Sequence, residues 1–208
     1  MKKILLVLSM IFLYGCSHET TQIQEIEMIL MKVNEKERLG KGYVKKLGQY
    51  EEKEQLVFTA IMELTQQRHF AVRKSVTTIK KIANDRLAMI TKEQKTFHDA
   101  RVEIMQLQES LRNSDYDQRI NKLFTALYDR YDMHDQLVAN YKQLVYAQLE
   151  LYTQLENLSV QPSELEEYVE RVNSLADDVE GNVREFNEST IEVNRLLSRI
   201  LSSLEKNK

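Results

Sequence analysis

Residues that bend or cross-link a chain are scarce: the 208 residues include one cysteine, one proline, five glycines and no tryptophan. A single cysteine cannot close a disulfide within its own chain, so no disulfide framework supports the fold. So few Gly and Pro residues leave the many turns of a β-sandwich, or the loops of an α/β sheet, without their usual material. Neither a glycine-rich phosphate loop nor a Gly-x-Ser-x-Gly nucleophile elbow occurs. The four histidines, His18, His69, His98 and His134, fall on separate segments with no His-x-x-x-His or Glu-x-x-His spacing, so no metal site or cofactor is expected. Paired carboxylates such as Asp177-Asp178 are adjacent on one solvated face and do not oppose each other across a cleft, which argues against glycosidase chemistry. The expectation is a protein that is not an enzyme.

Long apolar runs are missing as well, with one exception at the start. Lys2 and Lys3 precede Ile4 to Tyr14, an almost unbroken apolar stretch ending at Gly15-Cys16. A spanning helix needs about 20 apolar residues, whereas a shorter core behind a positive start is the pattern of a cleavable export signal. Leu13, Tyr14 and Gly15 before Cys16 resemble the lipobox of bacterial lipoproteins, although Tyr14 is bulkier than the small residue usual there. In that family the cysteine sulfur receives a diacylglyceryl group, the signal is cut ahead of it, and the cysteine becomes the mature N-terminus. The alternative is an uncleaved anchor or ordinary signal with an incidental thiol. Two acyl chains, at about 0.8 kcal/mol per buried CH₂, would hold the mature chain on the membrane, giving a lipid-anchored protein on its extracytoplasmic face. Loss of Lys2 and Lys3 would take the formal net charge from −3 to about −5, which disfavours nucleic acid as a partner.

The rest reads as helix. Residues 1–15 form the signal, 16–20 a lipidated, mobile polar tether and 21–208 one helical domain. Thr21 with Gln24 reads as a capping box. From there Val33, Gly40, Leu47, Glu54 and Ile61 recur in sevens, and a kink or short interruption is expected at Gly40 to Gly42. Thr65 to His69 lacks a seam residue and marks the first connection, the alternative being one helix from about Tyr50 to Leu111. Val76, Ala83, Ile90, Phe97, Ile104 and Leu111 line a second helix, backed by Val72, Ile79, Ala100 and Leu107. Ser114 caps a third carrying Phe124, Tyr131, Val138, Val145 and Tyr152, which Ser159 to Pro162 ends. Ser163 and Glu166 form a second capping box, ahead of Leu165, Val172, Val179, Phe186, Val193 and Ile200.

A seven-residue repeat implies coiled-coil-like packing at shallow angles. Helices of about 42 residues, about 60 Å long, joined by short links favour antiparallel neighbours. The expected fold is all-α, an elongated up-and-down four-helix bundle, with a three-helix arrangement carrying a short N-terminal helix as the alternative. An antiparallel return brings His134 level with Phe186 and close to Asn182 or Ser189, as a buried polar layer that fixes register. Arg73, Lys74, Lys80, Lys81, Lys92, Lys95 and Arg101 form a basic flank, and the last helix is acidic. Either these are solvated faces with weak ion pairs, or the basic flank meets anionic lipid or a phosphate-rich wall polymer. Most of the 10 tyrosines fall at core spacing, while Tyr146 lies outside the seam and could stack on a sugar.

Tyr128-Asp129-Arg130-Tyr131, Leu137, Tyr141, and then Phe186-Asn187-Glu188-Ser189-Thr190 with Asn194, resemble the YkyA-type lipoproteins of Gram-positive bacteria over nearly the whole mature chain. The resemblance implies an elongated helical bundle that binds the cell wall, and a hydrolase label sometimes attached to the family finds no residues here to carry it. The reading that follows is a membrane-anchored extracytoplasmic lipoprotein that binds wall polymer, peptidoglycan or a surface protein. A helical scaffold or chaperone for exported proteins or a membrane complex is the alternative from another class.

Overall fold

The structure is a computed structural model and describes residues 15–64, 69–111, 118–157 and 159–205. These form α1 (Gly15–Met62), α2 (His69–Leu111), α3 (Gln118–Gln154) and α4 (Pro162–Glu205), in an up-and-down four-helix bundle. The seven-residue lines of the sequence become its interior. Val76, Ile79, Ala83, Ala100 and Ile104 of α2 and Val145 of α3 are fully buried, each apolar side chain of Val or Ile size contributing about 1.5–3 kcal/mol. Val33 of α1 packs in one cluster with Ala100 to Leu111, Leu123 to Tyr131, and Val193 with Ile200. Leu47 and Ile61 pack in another with Val76 to Ile90, Val138 to Tyr152, and the partly buried Leu165, Val172 and Val179. Numbers that rise along one helix and fall along the next are the signature of antiparallel neighbours. Backbones approach most closely within the α1–α2 and α3–α4 hairpins and between α2 and α3. No α1–α4 pair of Cα atoms comes within 8 Å among the described residues, so the bundle is tight on three sides and looser on the fourth.

Several local expectations are corrected. The α1 helix passes through Gly40 to Gly42 without interruption, and Gly40 is buried. A Cβ added there would lie 2.8 Å from Thr96 Oγ1, so this glycine serves the close approach of α1 to α2 and does not break the helix. Residues 16–20, expected as a mobile tether, belong to α1, which begins at Gly15 and needs no cap at Thr21. Because α1 ends at Met62 and α2 begins at His69, neither the single Tyr50 to Leu111 helix nor the three-helix arrangement occurs. The expected cap at Ser114 lies outside the described residues. The α3 helix stops at Gln154, before Ser159, in a turn where the Ser159 N–H donates to Asn157 Oδ1. Pro162 opens α4, where its missing N–H costs nothing. The cap is therefore Gln161, whose N–H donates to Glu164 Oε2 at 3.4 Å, in place of the Ser163 and Glu166 pair.

The Glu37, Arg130 and Thr190 contacts mark one level across α1, α3 and α4. From it α1 continues about 33 Å to Gly15, while the other helices continue about 15–23 Å to their described ends, at 1.5 Å per residue. The first turns of α1, with Cys16 in them, extend about 10 Å past the described ends of the other helices.

Candidate functional site

Charged and polar side chains at seam positions assemble into two buried networks. At the first, Arg130 of α3 donates two hydrogen bonds to the Glu37 carboxylate of α1, at 2.7 and 2.9 Å, and a third from Nε to Thr190 Oγ1 of α4. The Tyr131 hydroxyl also donates to Glu37, at 3.0 Å. The guanidinium lies over Phe186 and Phe97, 4.9 and 5.3 Å from the ring centroids, where a desolvated cation gains most from an aromatic face. One turn along α3, His134 stacks on Phe97 at 3.7 Å and places Nε2 2.9 and 3.0 Å from the two Glu93 oxygens. A carboxylate can only accept there, so Nε2 is the donor of this pair. Nδ1 is buried without a hydrogen-bond partner among the described residues.

The second network centres on Arg86 of α2. Its Nη1 donates to Glu54 Oε2 and Gln148 Oε1, and its Nε to the Tyr141 hydroxyl, each at 2.8 Å. Tyr141 and Tyr152 donate in turn to Glu51 and Glu54, both at 2.6 Å. Burial lowers the affinity of Arg86 for its proton, but Tyr141 and Glu54 beside it outweigh that and hold the group above its ordinary value. Burial, followed by the neighbouring glutamates, pushes the hydroxyls of Tyr131 and Tyr152 far above their usual range, and burial does the same for Tyr141. Apart from the unpartnered His134 Nδ1 and the half-exposed Glu51, these groups are paired and buried, and they join helices to one another.

Two surface hollows lie in the outer groove between α3 and α4. One, of about 580 Å³, is lined by Lys122, Thr125 and Asp129 of α3 and by Glu192, Arg195 and Arg199 of α4. The other, of about 430 Å³, is lined by Gln143 and Tyr146 of α3 and by Arg171, Ser174 and Leu175 of α4. Glu192 pairs with Arg195 and Glu150 with Arg171, the latter at 2.5 Å. Lys122 and Arg199 have no ion-pair partner among the described residues. Tyr146 is 55% exposed, unlike the buried tyrosines of its own helix.

The residues singled out from sequence are placed as follows. Gly15 and Cys16 open α1, and Leu13 and Tyr14 lie outside the described residues. His134 is buried and level with Phe186, 5.5 Å between ring centroids, but its polar partner is Glu93 of α2. Asn182 is buried and accepts from Asn140 at 2.7 Å, while Ser189 donates to the carbonyl of Phe186 in its own helix. The three do not form one layer. On the basic flank Lys80 pairs with Glu156, Lys95 with Asp99 and Arg101 with Asp132, leaving Arg73, Lys74, Lys81 and Lys92 in solvent. Sequence reasoning missed Arg86 and Glu93, and it named Arg130 only within a motif of the family resemblance and gave it no role. A signal for the first two existed: the line Val72, Ile79, Ala100, Leu107 skips two sevens, and residues 86 and 93 fill them.

Among the described residues no group of three His, Cys, Asp or Glu side chains could hold a metal, and no helix is long and apolar enough to cross a membrane. The class defined is thus an elongated helical bundle with closed polar networks inside and a polar groove outside. The chain belongs to the YkyA family, described as "Putative cell-wall binding lipoprotein", which matches residues 21–202. Its fold is also that of a conserved protein of unknown function from Staphylococcus aureus, known from a crystal structure. The two share 19% identity with a TM-score of 0.77 over 88% of this chain and 94% of the other. No curated protein matches the chain significantly.

Proposed function

We propose that this protein is an extracytoplasmic lipoprotein, anchored by acyl chains on Cys16, whose helical rod binds the cell wall without catalysing a reaction on it. The observation that carries this reading is the family match across residues 21–202. Two features support it. Gly15-Cys16 lies at the projecting end of α1, so an acyl group there would meet the bilayer before the bundle does. The buried Arg–Glu and His–Glu pairs are turned on each other across the helices, which leaves recognition to the surface.

Metabolic labelling with a clickable fatty acid, comparing wild type with Cys16→Ala, tests the anchor. Label is expected on wild type alone, and label of equal strength on both would end the lipid-anchor reading. Co-sedimentation with purified walls tests the binding, and a protein that stays in the supernatant at low salt contradicts it.

A further inference from the structure

The two hollows of the α3–α4 groove are repeats of one place in the heptad pattern. Lys122 and Gln143, Thr125 and Tyr146, Arg195 and Ser174, and Leu196 and Leu175 are related by the same shift of three heptads, about 32 Å along the axis. Since α3 and α4 run antiparallel, the shift moves both walls in the same direction, so the hollows lie on one straight groove.

Their chemistry differs. At the Tyr146 hollow an exposed ring stands beside an amide and a hydroxyl, Gln143 and Ser174. That combination suits a pyranose, whose C–H face packs on an aromatic ring while its hydroxyls take polar side chains. At the other hollow Lys122 and Arg199 make no ion pair among the described residues, Arg199 adding only a longer-range pull on Glu192 beyond that of Arg195, and the two cations would hold an isolated carboxylate or phosphate. Between the hollows the same lines carry Asp178, Glu185 and Glu188, all exposed, and Asp129 adds a carboxylate at the Lys122 hollow itself. A polymer charged at every repeat would run over this acidic stretch and be repelled.

We propose that this groove is the wall-binding surface and that its ligand is a glycan strand uncharged along its backbone with spaced anionic substituents, which is the chemistry of peptidoglycan. The strand packs a sugar on Tyr146 and places an anionic substituent against Lys122 and Arg199. This rests on the wall-binding reading above and names the site and ligand class within it.

The test uses the full chain in mild detergent, sedimented with purified sacculi either intact or stripped of their phosphate polymers. Wild type is expected to sediment equally with both. Tyr146→Ala and the pair Lys122→Glu with Arg199→Glu are each expected to weaken retention about tenfold. Lys81→Glu, an exposed change on α2, is expected to leave it unchanged. Circular dichroism of each variant establishes that the bundle is intact. If wild type fails to sediment with either preparation, the wall-binding reading itself falls. If wild type sediments and the groove variants match it, the groove assignment falls while wall binding stands. Sedimentation with intact sacculi alone would replace the glycan by a phosphate polymer and overturn the ligand assignment.

Discussion

Replacing Arg86 by methionine is the sharpest probe of what holds the bundle together. The guanidinium side chain is 4% exposed and its Glu54 partner 5%, so neither charge has water to fall back on. Methionine fills similar volume but leaves the Glu54 carboxylate with only the Tyr152 hydroxyl as a partner. Breaking a buried pair from one side costs about 3–5 kcal/mol, mostly the penalty of the orphaned charge. For a chain of this size, at about 2–4 °C per kcal/mol, the melting midpoint should fall by roughly 6–20 °C. The triple variant Arg86→Met, Glu54→Met, Tyr152→Phe removes the buried orphans together, since Tyr141 keeps its bond to Glu51 and Gln148, which also loses its donor, is only part-buried. An apolar replacement of a buried pair is often neutral or stabilising, so the triple variant should recover most of the loss. Urea unfolding followed by circular dichroism measures both. A single substitution costing under about 1 kcal/mol, or a triple variant as unstable as the single, would refute the reasoning, the first by denying the desolvation penalty and the second by assigning the loss to packing.

Gly42→Ala meets nothing within 4 Å and should stabilise by about 0.5–1 kcal/mol in urea unfolding, the usual gain for alanine in a helix interior. Gly40→Ala should destabilise, because the added methyl meets Thr96 Oγ1, and Thr96→Ala in the same chain should recover much of that loss. Tyr131, Tyr141 and Tyr152 have hydroxyls raised from an ordinary value of 10.0. Their contribution to stability is complete below pH 10 and is lost as pH rises, because the unfolded chain ionises first. Stability should therefore fall above pH 10 by up to about 1.4 kcal/mol per pH unit for each tyrosine, and Tyr131→Phe should make the alkaline slope shallower.

The fold was legible because burial follows the heptads. Val33, Leu47 and Ile61, then Val76, Ala83, Ile90 and Ile104, were marked by spacing alone and are interior in the structure. What spacing could not reveal is which helix a seam residue faces. His134 was placed at the right height, beside Phe186, yet its carboxylate lies on α2, because rotation about a helix axis depends on packing against every neighbour at once. Gly40 misled for a related reason: as a lone residue it signals a break, and only the approach of α2 makes it a contact. The Cys16 end was legible as a motif and not as geometry, since polar residues 17–20 gave no sign of continuing α1. The groove was nearly invisible, with Tyr146 its single trace.

The polar networks also explain how a bundle built from repeats holds one alignment. Apolar seams tolerate a slip of seven residues, because one aliphatic layer replaces another. Here such a slip would set Arg130 against Leu30 or Val44 where Glu37 stands, and Arg86 against Leu47 or Ile61 where Glu54 stands. Either mismatch buries an unpaired guanidinium at a cost of several kcal/mol, more than a shift of aliphatic contacts returns. Between α3 and α4 the same task falls to Asn140 with Asn182, and to Arg130 with Thr190. Those contacts lie between the two surface hollows along the groove, so the interior polar groups fix the spacing at which Tyr146 and Lys122 are presented outside. A rigid separation of that kind lets a linear ligand be met at two points at once, and the second contact then adds to the first without a further cost of alignment.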